Sequence, residues 1–124
     1  MYNWKDKTIL IAEDEDINYF YLSELLESTK IKLIHAKNGK EALEKVTSEN
    51  TIDLILMDIR MPVMNGYEAT KEIKKIKSIP IVAQTAFAFT EDKTKALNAG
   101  CDDYLAKPIT RQSLYDVLNC HFRK

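Results

Sequence analysis

The sequence predicts an α/β fold in which helices cover both faces of a parallel five-stranded sheet. Three observations carry this. Short apolar runs alternate with helical patterns along the whole chain. Three of the runs are rich in Ile, Leu or Val without clean polar alternation, as strands buried on both faces should be. The length, 124 residues, is that of one domain, and a chain of this size buries about two-thirds of its surface on folding.

The first apolar run is Thr8–Ala12. The helical pattern after it places Ile17, Tyr21, Leu22, Leu25 and Leu26 on one broad half of a helix, with Asp16 expected to cap it beside Ile17. Phe20 falls on the opposite side, at about 100° per residue. The second strand is Lys32–Ala36, and the helix after Asn38-Gly39 carries Ala42, Leu43 and Val46. The third strand is Leu54–Met57. Its helix begins at Asn65, an N-cap with Glu68 three residues on, and shows the stripe Ala69, Ile73, Ile76. The fourth strand is Ile81–Gln84. Its helix starts at Thr90, where Glu91 and Asp92 suit the positive helix end, and stops at Gly100 as the C′ residue. The fifth strand is Tyr104–Ala106, followed by a helix with Leu114, Val117, Leu118 and His121 at offsets 0, 3, 4 and 7. Right-handed crossovers restrict the topology of five such units. The flavodoxin-like (βα)5 order 2-1-3-4-5 fits them, and it puts ligands beyond the C-terminal ends of strands 1 and 3. Residues 1–7 are a polar leader and 8–124 the domain.

Composition excludes several classes. Hydrophobic residues are 45% and charged residues 30%, so the chain as a whole is neither disordered nor fibrous. Lys and Arg number 18 against 19 Asp and Glu, net −1, with no basic excess for nucleic acid or an anionic membrane. No apolar run is long enough to span a bilayer, and residues 1–7 contain no signal-peptide core. Cys101 and Cys120 match no metal or redox spacing and read as two reduced thiols of a cytoplasmic protein.

The polar residues at the strand ends carry the chemistry. Strand 1 runs into Glu13-Asp14, strand 3 ends at Asp58, strand 4 at Thr85 and strand 5 at Lys107-Pro108. On this topology they converge on one rim. Three adjacent carboxylates repel one another, and a divalent cation removes the conflict. Mg²⁺ takes oxygen ligands and keeps room for water and phosphate oxygens, so one or two carboxylates and a backbone carbonyl suffice. Lys107 can pair with Asp58 or with an incoming phosphate, and Thr85 can donate to the same group. This equipment suits phosphoryl transfer to a carboxylate nucleophile. Each residue alone has a plainer reading. Asp58 reads as a turn or helix cap, the run Glu13–Asp16 as acids at a helix start, Lys107 as a solvated lysine and Thr85 as a strand-end hydroxyl. Four strand ends would have to converge by chance for all the plain readings to hold.

The chain resembles the receiver domain of two-component response regulators from Lys7 to Phe122. The resemblance rests on Ile9–Glu15 (ILIAEDE), Leu56–Gly66 (LMDIRMPVMNG), Ile81–Ala86 (IVAQTA) and Ala99–Pro108 (AGCDDYLAKP), four stretches in order with fitting spacing. It looks most like receivers attached to hybrid sensor histidine kinases, and Trp4 in the leader resembles the junction before such receivers. The resemblance implies that Asp58 accepts a phosphoryl group from phosphohistidine. It implies Mg²⁺ held by Asp14, Asp58 and the backbone carbonyl of Arg60, with Glu13 acting partly through water. Lys107 would contact the phosphoryl oxygens across a cis Lys107–Pro108 bond. Thr85 and Tyr104 would form the switch. Arg60 and Phe87 would tune phosphoaspartate lifetime. A histidine kinase or histidine phosphotransfer domain would be the partner, docking near the first helix, where Phe20 is the candidate contact. A phosphorylation-dependent dimer is a further implied partner. The stretch Phe87–Phe89 would be a switch surface or fold back on Tyr104.

Other classes fit less well. A dehalogenase-like phosphatase would want a second Asp where Arg60 stands. A nucleotide-binding enzyme would want a Gly-rich loop, but Gly39, Gly66 and Gly100 lie far apart. A flavodoxin would want phosphate-binding hydroxyls where the acidic run lies. A histidine kinase would need an ATP domain, and His35 and His121 read as ordinary structural or surface residues. A stand-alone single-domain regulator, or a non-phosphorylated pseudo-receiver acting as an interaction module, are the remaining alternatives. No DNA-binding output domain is expected after the fifth helix.

Overall fold

The computed structural model describes residues 2–86 and 90–123, apart from the side chains of Thr90 and Asp92. The elements run β1 (Thr8–Ala12), α1 (Asp16–Leu26), a 3₁₀ turn (Glu27–Thr29), β2 (Lys32–Ala36), α2 (Gly39–Ser48), β3 (Leu54–Asp58), α3 (Gly66–Lys74), β4 (Ile81–Thr85), α4 (Thr90–Ala99), β5 (Asp103–Ala106) and α5 (Arg111–Phe122). The strands form one parallel sheet in the order β2-β1-β3-β4-β5. This is the flavodoxin-like fold expected above. Every residue of β1 and β3 is buried, as central parallel strands require, whereas edge strand β2 opens to solvent at its start.

The pleat divides the core into two layers. Leu10, Ile55, Met57, Ile81 and Ala83 face Ala42, Val46, Ala69, Ile73 and Ala96 of α2, α3 and α4. Ile9, Ile11, Leu56, Val82 and Leu105 face Leu22, Leu26, Leu114 and Leu118 of α1 and α5. Trp4 joins this second layer. It is 7% exposed, stacks on Tyr2 at 4.8 Å, and meets Tyr115 and Phe122 edge-on.

Helix boundaries follow local chemistry. The Asn65 side chain accepts from the Glu68 N–H while Glu68 reaches back to the Asn65 N–H, a capping box that starts α3 where the sequence placed it. Gly100, at φ 109°, ends α4. Its N–H donates to the Leu97 carbonyl and that of Cys101 to the Ala96 carbonyl.

Three local expectations are corrected. Asp16 does not cap α1 but is its first helical residue. Glu15 holds the cap position without a side-chain cap bond, because its carboxylate accepts from Asn18 instead. Ile17 is 84% exposed, since α1 buries only Leu22 and Leu26 and its first turn lies out at the rim of the sheet. Ile76 lies beyond the end of α3 and is 52% exposed, because the helix closes at Lys74 and the chain turns away.

One polar link, partly open to solvent, joins α3 to the β4 and β5 strands. Asp102 Oδ2 accepts from the Ile81 N–H at 2.8 Å and from Lys74 Nζ at 2.7 Å, and Lys74 also donates to the Ile79 carbonyl. Ile81 is fully buried, so Asp102→Ala strands its N–H. The variant is expected to lose about 2 kcal/mol of stability. The check is a lower urea midpoint with an unchanged m-value.

Candidate functional site

The site is assembled by strand ends. Asp58 is the last residue of β3 and lies opposite Gln84 in the β3–β4 register, while Glu13 and Asp14 follow β1 directly. Gly66 lets α3 start close behind Asp58. A Cβ there would lie 2.3 Å from the Asp58 carbonyl oxygen, and the Gly66 N–H donates to the Ile59 carbonyl.

Each of Glu13, Asp14 and Asp58 offers a carboxylate oxygen, and these oxygens lie within 4.8 Å of one another. Glu13 is fully buried and Asp58 is 5% exposed. Lys107 Nζ stands 3.2 Å from Asp58 Oδ1 and 3.8 Å from Glu13 Oε1. Lys107 thus faces two of the three acids, Asp58 and Glu13. Burial, and then the Asp58 charge, pushes the Glu13 carboxyl up to about 7 against the opposing pull of the Glu15 N–H and Lys107. Glu13 Oε1 has no hydrogen-bond partner among the described residues. An all-oxygen donor set with excess negative charge and an orphaned buried oxygen fits a hard divalent cation such as Mg²⁺.

The remaining predicted residues distribute around this cluster. Asp14, Arg60, Tyr67, Thr85 and Lys95 line one open cleft of about 400 Å³ beside it. Thr85 ends β4, and its carbonyl accepts from the Lys107 N–H at 2.8 Å. The Lys107–Pro108 peptide is cis. Tyr104 is half-buried on β5, with Lys93 Nζ 5.2 Å from its ring centroid. Phe20 stands on α1, 63% exposed. Phe87, and with it the stretch Phe87–Phe89, lies outside the described residues.

Two contributors were not legible in the sequence. His35 Nε2 donates to the Glu13 carbonyl at 2.8 Å while its ring stacks on Tyr19 at 3.7 Å, so a residue of edge strand β2 braces the first acid. Gln84 sits beside Asp58 with a buried amide nitrogen that has no partner among the described residues. Only the inter-strand register, which a linear pattern does not show, brings either to the site. Among the described residues no helix is long and apolar enough to cross a membrane.

Known proteins are similar to this chain in sequence and fold. Hybrid signal transduction histidine kinase I of Dictyostelium discoideum is 41% identical over 125 residues, covering 94% of this chain. The chain spans only 7% of that protein's length. The polar-differentiation response regulator DivK of Brucella anthropi is 38% identical over 107 residues, covering 84% of this chain and 86% of DivK. The receiver domain of a Pseudomonas aeruginosa sensor histidine kinase, solved with a magnesium ion coordinated in its active-site cleft, superposes with a TM-score of 0.88 at 35% identity, covering 95% of this chain and 98% of that one. The receiver domain of the Saccharomyces cerevisiae response regulator Ssk1, solved with the histidine phosphotransfer protein Ypd1, gives 0.85 at 36% identity, over 92% and 87% of the two chains. Residues 9–119 match the response regulator receiver domain, and the chain belongs to that family of two-component signalling domains.

Proposed function

We propose that this receiver is a phosphoacceptor whose Asp58 takes a phosphoryl group from a phosphohistidine of a histidine kinase or histidine phosphotransfer domain. The observation that supports this best is the buried Asp58 carboxylate, paired at 3.2 Å with Lys107 inside an acidic cluster. An Asp58 oxygen attacks phosphorus, the N–P bond of the donor breaks, its electron pair returns to the imidazole, and an acyl phosphate remains. Lys107 is placed to follow the negative charge from carboxylate to phosphoryl oxygens, and the Thr85 hydroxyl donates to the same oxygens. Glu13, Asp14, Asp58 and the Arg60 carbonyl would hold Mg²⁺, which when bound supplies positive charge against the carboxylates and the phosphoryl group.

Thr85 and Tyr104 then act as the switch, with phosphorylation altering the electrostatics beside a bistable element. Arg60 and Phe87, two residues beyond Asp58 and Thr85, set water access and so the lifetime of the acyl phosphate. Residues 8–124 form the receiver unit, and residues 1–7 the leader. A cytoplasmic location suits this chemistry. A hybrid sensor kinase is the parent we favour on the Dictyostelium similarity, and the near full-length match to DivK supports the second reading, a stand-alone regulator.

Acetyl phosphate labelling followed by intact-protein mass spectrometry tests the proposal. A single phosphoryl adduct that maps to Asp58 and requires Mg²⁺ is the expected result. No adduct, together with no Mg²⁺-dependent beryllofluoride response at the Thr85 or Tyr104 amides, would leave a pseudo-receiver.

Docking is tested separately. Phe20 exposes a large apolar surface on α1 beside Ile17 and Tyr21. Removing such an anchor from a protein interface costs about 1.4 kcal/mol, or roughly tenfold. Phe20→Ala is therefore expected to slow transfer from the protein donor about tenfold. Labelling by acetyl phosphate, which needs no docking, should be unchanged.

A further inference from the structure

A second cavity, of about 370 Å³, opens between α1 and the segment that joins β5 to α5. Its lining includes Tyr21, Leu22 and Ile109 as apolar wall, and Glu13, Gln84 and Lys107 as polar groups. It is distinct from the cleft that Asp14, Arg60 and Thr85 line. The Tyr21 hydroxyl donates to the Ile109 carbonyl and so ties α1 to that segment.

The polar groups are not equivalent. Glu13 and Lys107 are already engaged with the acidic cluster. Gln84 has no such engagement. It is 1% exposed, and its Nε2 has no hydrogen-bond partner among the described residues. An unpaired buried amide is costly, and such a cost is tolerated where a ligand repays it. The volume lies in the range of small-molecule sites, roughly 300–1,000 Å³.

We infer that this cavity binds a small neutral molecule that carries a primary carboxamide on a flat apolar body. Lys107 is already paired with Glu13 and with Asp58, so the group left for a ligand at this wall is the uncharged Gln84 amide, and a neutral head matches it. A carboxamide both donates and accepts, so it pairs with the Gln84 amide at either of its edges. The terminal torsion of Gln84 is broad and lets that amide turn toward the ligand. The apolar body lies against Tyr21, Leu22 and Ile109. The inference needs no phosphoryl chemistry and stands apart from the proposal for Asp58.

The test is an NMR titration of the ¹⁵N-labelled protein, without phosphodonor, using benzamide, benzoate and benzylamine in parallel. Benzamide is expected to shift the Gln84 side-chain amide and the Leu22 and Ile109 backbone amides saturably. Benzoate and benzylamine should bind at least about tenfold more weakly, and Gln84→Met, which keeps length and loses the amide, should weaken benzamide about tenfold. Absence of saturable shifts with benzamide would overturn the inference. So would equal shifts with all three probes, which would mean unspecific apolar adhesion, or unchanged benzamide binding in Gln84→Met. Ile109→Phe, which fills the cavity from its wall, provides a second variant in which benzamide binding should disappear.

Discussion

Asp58→Asn is expected to abolish the phosphoryl adduct altogether, with the wild-type protein fully labelled under the same conditions. The substitution conserves shape at a site that is 5% exposed, so the fold should survive it. Its chemistry changes completely. The proposed nucleophile is an anionic carboxylate oxygen, and a neutral carboxamide does not attack phosphorus at a useful rate. Thr85 and Lys107 remain in place, but the step they are proposed to stabilise no longer has its attacking group. The charge balance also shifts. Lys107 loses the partner at 3.2 Å, and Glu13 loses the second largest cause of its raised pKa. Mg²⁺ affinity should fall at least about tenfold, since one of three carboxylates is gone. Intact-mass measurement reads the first effect and a Mg²⁺ titration the second. An adduct of undiminished yield in Asp58→Asn would place the acceptor elsewhere.

The residues that made the fold legible are those under strong local constraint. Parallel strands buried on both faces must be nearly all apolar, and Thr8–Ala12 and Leu54–Met57 are. Asn65 and Gly100 mark helix ends by mechanisms that act within a few residues. The same locality made the strand-end acids readable, because a right-handed βαβ topology sends every C-terminal strand end to one rim.

What stayed hidden depends on neighbours distant in sequence. A helical wheel assigns Ile17 to the apolar half of α1 but does not know that the sheet ends beneath it. The first turn contains several acids, and which one occupies the cap depends on how the chain leaves β1. At the site, the sequence placed Glu13 near a metal but gave no sign that it would be fully buried, or that His35 would hold its carbonyl from the edge strand. Gln84 is the sharpest instance. By sequence it is one residue of an apolar run, and only register sets it opposite Asp58.

The burial of Glu13 gives the metal-free protein a stability profile with a definite sign. Its carboxyl is raised from 4.5 to about 7, first by burial and then by the charge of Asp58. Between these values the folded protein keeps a proton that the unfolded chain has released. The group's contribution to stability is therefore fully present below pH 4.5 and lost as pH rises through about 7, a change on the order of 3 kcal/mol. Glu13→Gln keeps the shape, can still accept from the Glu15 N–H, and never ionises. In urea unfolding with a chelator present, the stability of Glu13→Gln relative to wild type should grow by about 3 kcal/mol from pH 4.5 to above 7, then stay flat. A difference that does not vary with pH would show that Glu13 titrates normally. Mg²⁺ should reverse the order. A ligand at a hundred times its dissociation constant adds about 2.7 kcal/mol to the folded state, and the wild type, with one more carboxylate, should gain more of this than the variant. Excess negative charge in the cluster without a cation lowers stability and raises affinity for the cation by one and the same interaction, so a stabilising Glu13→Gln that also binds Mg²⁺ more weakly is the outcome expected of a carboxylate kept for binding.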